Sequence, residues 1–329
     1  MLYKNKIKVI AEIGVNHNGN MNLAKKLVRK AKDSGADYAK FQMYIPEEIV
    51  TKNCQTAKHQ KNKKNLSQFK ILKKYYLDQK KLNIIRKYCS KIKIKFLASV
   101  FDLKSLNILK KFNTDFIKLP SSEIDNIFLL KELSRMDKDV LFSTGMSSFN
   151  EIKYAFNFLN KNFKKKIIPM YCVSSYPTNI EEFDFSIIQK LKNTFKIFGF
   201  SDHSVTNEPS IICSYLGASF IERHLTLNKK MTGPDHSSSL NPEEFKKFVN
   251  SIRNVEKLKK IKRKNNELIN KKFVRKFLVA RNNIKKGQKF SDKNLTSKRS
   301  NGNLPSKFFF KLQGKKAKRN FNKDASIKL

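Results

Sequence analysis

The sequence predicts an α/β fold: a (β/α)8 (TIM) barrel followed by a small β-rich domain. Three observations carry this. A short β-branched or aromatic run, then a polar turn, then a longer amphipathic stretch recurs from Lys8 to about Lys260, roughly eight times over roughly 250 residues, the size of such a barrel. Most of the short runs are continuously apolar rather than alternating, which suits parallel strands covered on both faces. After a Lys/Asn-rich stretch, the chain changes character from Phe273 onward.

In order, the expected strands are Lys8–Ile13, Tyr38–Gln42, Ile94–Ser99, Phe116–Leu119, Val140–Ser143, Ile167–Cys172, Ile197–Ser201 and Ser219–His224. The segments between them carry helical spacing, as in Leu23, Leu27, Val28 and Ala31, or Phe245, Phe248, Val249 and Ile252. Asn241 before Pro242 and Glu243 reads as a helix N-cap with proline at the first helical position. The alternative, an open doubly wound sheet binding a dinucleotide, wants Gly-x-Gly-x-x-Gly after the first strand, and Gly14 to Gly19 does not supply it. The expected domains are a barrel over 1–260, a linker over 261–272 and a small domain over 273–329, with turns at Lys286-Gly287 and Asn301-Gly302.

With 329 residues and 40% hydrophobic composition, the chain has material for a packed core. No apolar stretch is long enough to span a membrane, and the basic N-terminal residues are not followed by a signal-peptide core. Cys54, Cys89, Cys172 and Cys213 are widely spaced. They indicate neither a zinc cluster nor a disulfide framework, and the expected setting is the reducing cytoplasm. Lys+Arg 70 against Asp+Glu 27 gives a net charge of +43, which invites a nucleic-acid or anionic-membrane reading. Lysine far outnumbers arginine, however, the basic residues are spread along the whole chain with extra density at 58–81 and 257–276, and Lys, Asn, Ile and Phe are abundant together. That pattern reads as compositional drift on solvated faces, so no nucleic-acid partner is expected.

Catalytic groups of such barrels sit at the C-terminal strand ends. There the sequence places Glu12, then Asn16 and His17; Lys40 and Gln42; Ser99; Lys118 with Ser121, Ser122 and Glu123; Ser143; Cys172 with Ser174 and Tyr176; Ser201, Asp202 and His203; and Glu222, Arg223 and His224 with Asp235 and His236. Any one of these has a structural explanation, such as a turn-forming serine. Their coincidence at one face is harder to explain that way, since four of the 5 histidines (all but His59) fall in these turns. Lysines and serines together suit a phosphate or carboxylate. His203 and His224, ending adjacent strands, suit Mn²⁺, Mg²⁺, Co²⁺ or Zn²⁺. Glu12, Glu123, Tyr176 and Asp235 remain for hydroxyl binding and proton transfer.

These strings resemble the sialic acid (N-acetylneuraminate) synthase family: Ala11 to Gly19, Gly35 to Gln42, Ile117 to Glu123, Ser143 to Met146, Cys172 to Thr178, Gly199 to His203, and Glu222 to His224 with Gly233 to His236. The tail, with Val279 to Gly287 and Ser297 to Gly302, resembles the family's SAF (antifreeze-like, β-clip) domain. The resemblance implies condensation of phosphoenolpyruvate with an N-acylmannosamine-type sugar and water to give a nonulosonic acid and phosphate. Lys40, Lys118, Ser121, Ser174 and Ser201 would bind phosphoenolpyruvate, with Gln42 and Ser99 assisting. His203 and His224 would hold a divalent metal, Mn²⁺ in the first place and Mg²⁺ or Co²⁺ otherwise, and Glu12 would face the aldehyde and water. Glu123, Tyr176 and Asp235 would contact the sugar, and Arg299 would reach its N-acyl group from the partner in a domain-exchanged homodimer. His236, which is not a family metal ligand, is expected at the rim.

The sugar would be N-acetylmannosamine or a 2,4-diacetamido-6-deoxy analogue leading to a legionaminic-type acid, the Glu12 to His17 string speaking against the pseudaminic branch. Ser122, Val100, Tyr171 and Ser300 depart from the family's usual Gly, Pro, His and Pro. The competing readings are a sugar-phosphate aldolase on the same barrel and a non-catalytic basic protein binding nucleic acid or membrane.

Overall fold

The computed structural model describes residues 6–52, 54, 67–161, 165–259, 265–302 and 304–328. His59, residues 58–66 of the basic stretch and residues 261–264 of the expected linker lie outside them. The chain divides into two compact units, residues 1–260 and residues 261–329.

The first unit is a closed eight-stranded parallel barrel in simple sequential order. Its strands are β1 (Lys8–Gly14), β2 (Tyr38–Met43), β3 (Lys95–Val100), β4 (Phe116–Leu119), β5 (Asp139–Ser143), β6 (Ile167–Tyr171), β7 (Gly199–Asp202) and β8 (Phe220–His224). They differ from the sequence expectation by a residue or two at their ends. Ser219, for example, precedes β8 yet still accepts from Lys8 N at 2.9 Å and donates its N–H to Phe198 O at 2.8 Å.

The two-residue period of the strands builds two cores at once. Outward-facing Val9, Ala11, Phe41, Val140, Phe200 and Ile221 pack beneath the surrounding helices. Inward-facing Ile10, Tyr38, Leu97, Phe116, Leu141, Ile168, Met170 and Phe220 fill the barrel's interior, where Phe116 and Phe220 meet edge-to-face at 5.2 Å. Two residues further along β1, β2, β3, β4, β5 and β8 the inward position turns polar: Glu12, Lys40, Ser99, Lys118, Ser143 and Glu222. The apolar plug is thus the floor on which the polar layer stands, and it keeps water from reaching that layer from below.

Helix Pro242–Leu258 begins as expected: Asn241 accepts from Glu243 N and Glu244 N, and Glu244 returns the bond to Asn241 N. Cys54, Cys89, Cys172 and Cys213 are free thiols. No helix among the described residues is long and apolar enough to cross a membrane.

In the second unit, β9 (Phe277–Ala280) pairs antiparallel with β10 (Leu295–Lys298), and isolated bridges such as Val279 to Ser326 and Ile284 to Phe321 extend the pairing. Leu278, Ile284, Phe290, Leu295, Phe321 and Ile327 belong to its own small core. Part of the stretch expected as a linker is a helix, Asn265–Val274. Its Lys and Asn residues obscured a helical run in which burial plays little part, since residues 266–274 are exposed.

Candidate active site

The polar strand ends open into a cavity of about 450 Å³. Glu12, Lys40, Gln42, Ser99, Lys118, Ser121, Glu123, Ser174, Tyr176, Ser201, His203, His224 and Asp235 all line it. Of the residues singled out in the sequence, Arg299 alone belongs to the other unit, exposed just past β10.

Register explains the centre. Glu12 on β1 pairs with Lys40 on β2 and with His224 on β8. Lys40 Nζ lies 3.1 Å from Glu12 Oε2 and 3.3 Å from Glu222 Oε1, with all three side chains buried. Burial works against the charge of Lys40, but the two carboxylates outweigh it and hold the ammonium above the usual lysine range. The carboxylates themselves diverge. Burial raises Glu12 well above the ordinary range despite Lys40. Glu222 faces the same burial, yet Lys40 and Lys118, with a 2.9 Å bond from Ser201 Oγ, hold it low. One permanent carboxylate and one that can exchange a proton near neutral pH therefore share a cation.

Gly14 makes room for this arrangement. It follows an irregularity in the β1–β2 register and has φ +52°. A Cβ there would stand 3.2 Å from Glu12 Oε1, 3.3 Å from Asp235 Oδ2 and 3.4 Å from Gln42 Nε2, so the three side chains converge over a bare backbone.

A second corner surrounds Lys118. Its Nζ donates to Leu119 O at 3.0 Å and to Ser143 Oγ. Among the described residues it forms no ion pair with a carboxylate. Burial lowers its pKa to about 8. Nearby, Ser121 Oγ accepts from Gly145 N at 3.0 Å and lies 3.2 Å from Cys172 Sγ. A Cβ on Gly145 would meet Ser174 Oγ at 2.2 Å and Ser121 Oγ at 2.9 Å. The lack of a side chain at Gly145 therefore lets the two hydroxyls approach its backbone closely.

The two histidines form the third corner, with ring centroids 5.6 Å apart. His203 Nδ1 sits 2.7 Å from Val173 O. A carbonyl only accepts, so Nδ1 carries the proton and Nε2 is left with a lone pair. Burial, then the neighbouring His224, lowers His203 to about 4. Burial lowers His224 too, and its buried Nδ1 has no hydrogen-bond partner, the nearest carboxylate oxygen being Asp235 Oδ2 at 3.7 Å. Two neutral imidazoles, one with an orphaned nitrogen, fit a divalent metal. No group of three or more His, Cys, Asp or Glu among the described residues converges on one point, so substrate oxygens or water would complete the shell. Tyr176 packs its ring 4.3 Å from His203, and burial raises both its hydroxyl and the Asp235 carboxyl.

The remaining expected residues occupy the walls. Gln42 Nε2 donates to Glu12 Oε1 at 3.3 Å, and Ser99 Oγ donates to Phe41 O at 3.4 Å. Glu123 is held by Asn126 Nδ2 at 2.7 Å and by the hydroxyl of Ser122 at 3.0 Å. Val100 is buried on the outer face, and the Tyr171 hydroxyl accepts from Asp184 N at 2.9 Å, away from the cavity floor.

His236 is not at the rim. It is buried, with Nδ1 2.6 Å from Thr226 Oγ1 and Nε2 3.2 Å from Asn18 Oδ1. Asn16 and His17 are likewise structural: Asn16 Nδ2 ties Leu225 O to Ser239 Oγ, and His17 Nδ1 accepts from Gly19 N. Glu222 and Ser143 were named at their strand ends without a role. The signal was available, since Glu222 stands two residues before His224 on one strand and so faces the same way.

Comparison with known families covers both units. Residues 27–264 match the NeuB family and residues 275–329 match the SAF domain. The chain belongs to the NeuB family. It is 38% identical to the N,N'-diacetyllegionaminic acid synthase of Campylobacter jejuni over 98% of this chain and 99% of that protein. It is 32% identical to the enzyme of the same name from Legionella pneumophila, over 87% and 83% of the two chains. Among solved structures it resembles the N-acetylneuraminic acid (sialic acid) synthetase of Leptospira borgpetersenii, crystallised with citrate. The TM-score is 0.71 and the identity 30%, covering 82% of this chain and 93% of that one. These NeuB relatives are sugar-acid synthases, and a nonulosonic acid synthase role follows for this chain.

Proposed function

We propose that this NeuB protein condenses phosphoenolpyruvate with the open-chain aldehyde of an N-acylated hexosamine and water, giving a nine-carbon 2-keto acid and phosphate. Lys118 carries the reading. It is a buried cation with no carboxylate ion pair among the described residues, bonded to Ser143 beside Lys40 and the Ser121–Gly145–Ser174 corner. Such a group is poised for an anion, and each charge-assisted hydrogen bond to phosphate or carboxylate contributes about 1.5–3 kcal/mol. Lys40, Ser201, Gln42 and Ser99 line the adjoining floor.

Carbon 3 of phosphoenolpyruvate forms the new bond to the aldehyde carbon, whose oxygen becomes an alkoxide. Water adds to carbon 2, Glu12 accepting one of its protons, which ends on that alkoxide; the carbon 2 hydroxyl then loses its proton to the departing phosphate as the C–O bond breaks and the ketone forms. The raised pKa of Glu12 suits it to hold that proton, whereas Glu222 stays charged and keeps Lys40 protonated. His203 and His224 would hold a divalent ion, Mn²⁺ in the first place and Mg²⁺ or Co²⁺ otherwise. When bound, such an ion supplies Lewis-acid polarisation of the aldehyde oxygen.

Glu123, Tyr176 and Asp235 are assigned to the sugar. Arg299 is assigned to its N-acyl group, supplied by a partner copy in a domain-exchanged homodimer. The likeness to diacetyllegionaminic acid synthases over nearly the whole chain favours a 2,4-diacetamido-6-deoxy sugar over N-acetylmannosamine. Four free thiols suit a reducing cytoplasm. Phosphate release from phosphoenolpyruvate with Mn²⁺ and a panel of N-acylated hexosamines is the test. Turnover is expected with the diacetamido sugar, and none with any member of the panel overturns the reading.

A further inference from the structure

Behind the two histidines lies a polar cluster that the proposed chemistry does not touch. Ser201 and Glu222 are register partners on β7 and β8, and Asp202 and Arg223 are the next pair. Strand alternation turns Ser201, Glu222, His203 and His224 toward the cavity and Asp202 with Arg223 the other way, under the helices. The Arg223 guanidinium lies 5.4 Å over the Phe248 ring of helix Pro242–Leu258. Asp202 Oδ2 and Arg223 Nη1 are 3.1 Å apart, with both side chains buried.

The bonds of this pair gather on residues 204–210, the segment that follows His203. Asp202 Oδ1 accepts from Ser204 N at 2.9 Å and Ser204 Oγ at 2.7 Å, and Oδ2 accepts from Ser210 Oγ. Arg223 donates to Ser204 O, Thr206 O and, at 3.2 Å, Asn207 Oδ1. His203 is therefore clamped between Asp202 and Ser204, while Arg223, the residue before His224, holds the far side of the same turn. A buried ion pair is a weak source of stability, because desolvating both charges offsets their attraction. Its geometric effect here is specific: it ties the two histidine-bearing strand ends to each other.

We infer that Asp202 and Arg223 are positioning residues that set the separation and direction of His203 and His224, and thereby the affinity for a divalent ion. This rests on the reading of those histidines as metal ligands. The test measures Mn²⁺ binding to the full-length protein by calorimetry, alongside thermal unfolding and phosphoenolpyruvate binding. Asp202→Asn is expected to weaken Mn²⁺ by about tenfold, the lower end of the range for groups bonded directly to a metal ligand, because Asp202 acts one bond further out, through the Ser204 backbone. Phosphoenolpyruvate affinity should stay within about twofold of wild type, and excess Mn²⁺ should recover part of kcat.

The double variant Asp202→Leu with Arg223→Met leaves no lone buried charge, and thermal unfolding checks that it stays folded although Ser204 and Ser210 lose partners. If the pair positions the histidines, this variant is stable yet still weak for Mn²⁺. If the pair serves stability alone, Mn²⁺ affinity returns to wild type, and the inference is overturned. Should Asp202→Asn be insoluble, Ser210→Ala, which removes one donor to Asp202, gives a milder version, with a several-fold loss expected and wild-type affinity overturning the inference. A wild-type protein that binds no Mn²⁺ overturns the metal reading and this one with it. Mn²⁺ binding that is equal in wild type and all variants overturns this one alone.

Discussion

Glu12 and Lys40 stand opposite each other on neighbouring strands, with Oε2 3.1 Å from Nζ, at the point where the barrel's interior changes from apolar to polar. The pair sets the chemistry on that side of the cavity. Lys40 is shared with Glu222, so Glu12 receives only part of its stabilisation, and burial leaves its carboxyl easy to protonate. Glu12→Gln keeps the shape and removes the proton acceptor. It should lower kcat by about 10²–10⁴-fold with little change in the KM for phosphoenolpyruvate. Steady-state phosphate release checks this, and full activity in the variant would remove Glu12 from the mechanism.

Lys118 supplies the pH dependence. Its pKa near 8 means that the free enzyme carries the charge below that value and loses it above. Anion affinity should therefore be highest below about pH 8 and decline as pH rises through it. The KM for phosphoenolpyruvate should rise across pH 7–9.5 with an inflection near pH 8. In Lys118→Arg, whose guanidinium does not deprotonate in that range, the inflection should vanish.

Gly145 should tolerate no side chain. A Cβ at 2.2 Å from Ser174 Oγ forces Ser174 or the turn to move. Overpacking of this kind costs about 1–3 kcal/mol. Gly145→Ala is expected to remain folded while losing phosphoenolpyruvate affinity by at least about tenfold. Calorimetric titration reads it, and wild-type affinity would mean that the hydroxyls do not meet the anion there.

His203→Ala and His224→Ala should each abolish Mn²⁺ binding and nearly all turnover. Elemental analysis after dialysis, combined with phosphate release, separates loss of metal from loss of fold. A metal-loaded, active double variant would refute the site.

The proposed exchange of C-terminal domains predicts complementation. A subunit with Lys40→Met has a dead barrel and an intact tail; one with Arg299→Ala has the reverse. Each homodimer should be inactive or have a strongly raised sugar KM. Mixed dimers should recover activity, because one barrel then meets one intact Arg299. No recovery from co-expressed subunits, with mixed dimers verified by mass spectrometry, would count against exchange.

Much of this was legible in the residues. Continuous apolar runs such as Val140 to Phe142 suit a parallel sheet covered on both faces, and their roughly eightfold alternation with amphipathic stretches pointed to the barrel and to the face on which its polar ends gather. Strand-end position named Glu12, Lys40, Lys118, His203 and His224, and family likeness added what each would bind. Individual roles were decided by the tertiary structure, because they depend on distance and burial rather than on residue type. His203 and His236 are both histidines in strand-end turns; one has a nitrogen free at the cavity, while the other has both nitrogens engaged by Thr226 and Asn18. Glu12 and Glu222 are both buried carboxylates, and only the additional closeness of Lys118 and Ser201 keeps Glu222 charged while Glu12 rises. Electrostatic energy falls off with separation and grows as water is excluded, and neither quantity exists in a sequence until strands far apart in the chain are brought into register.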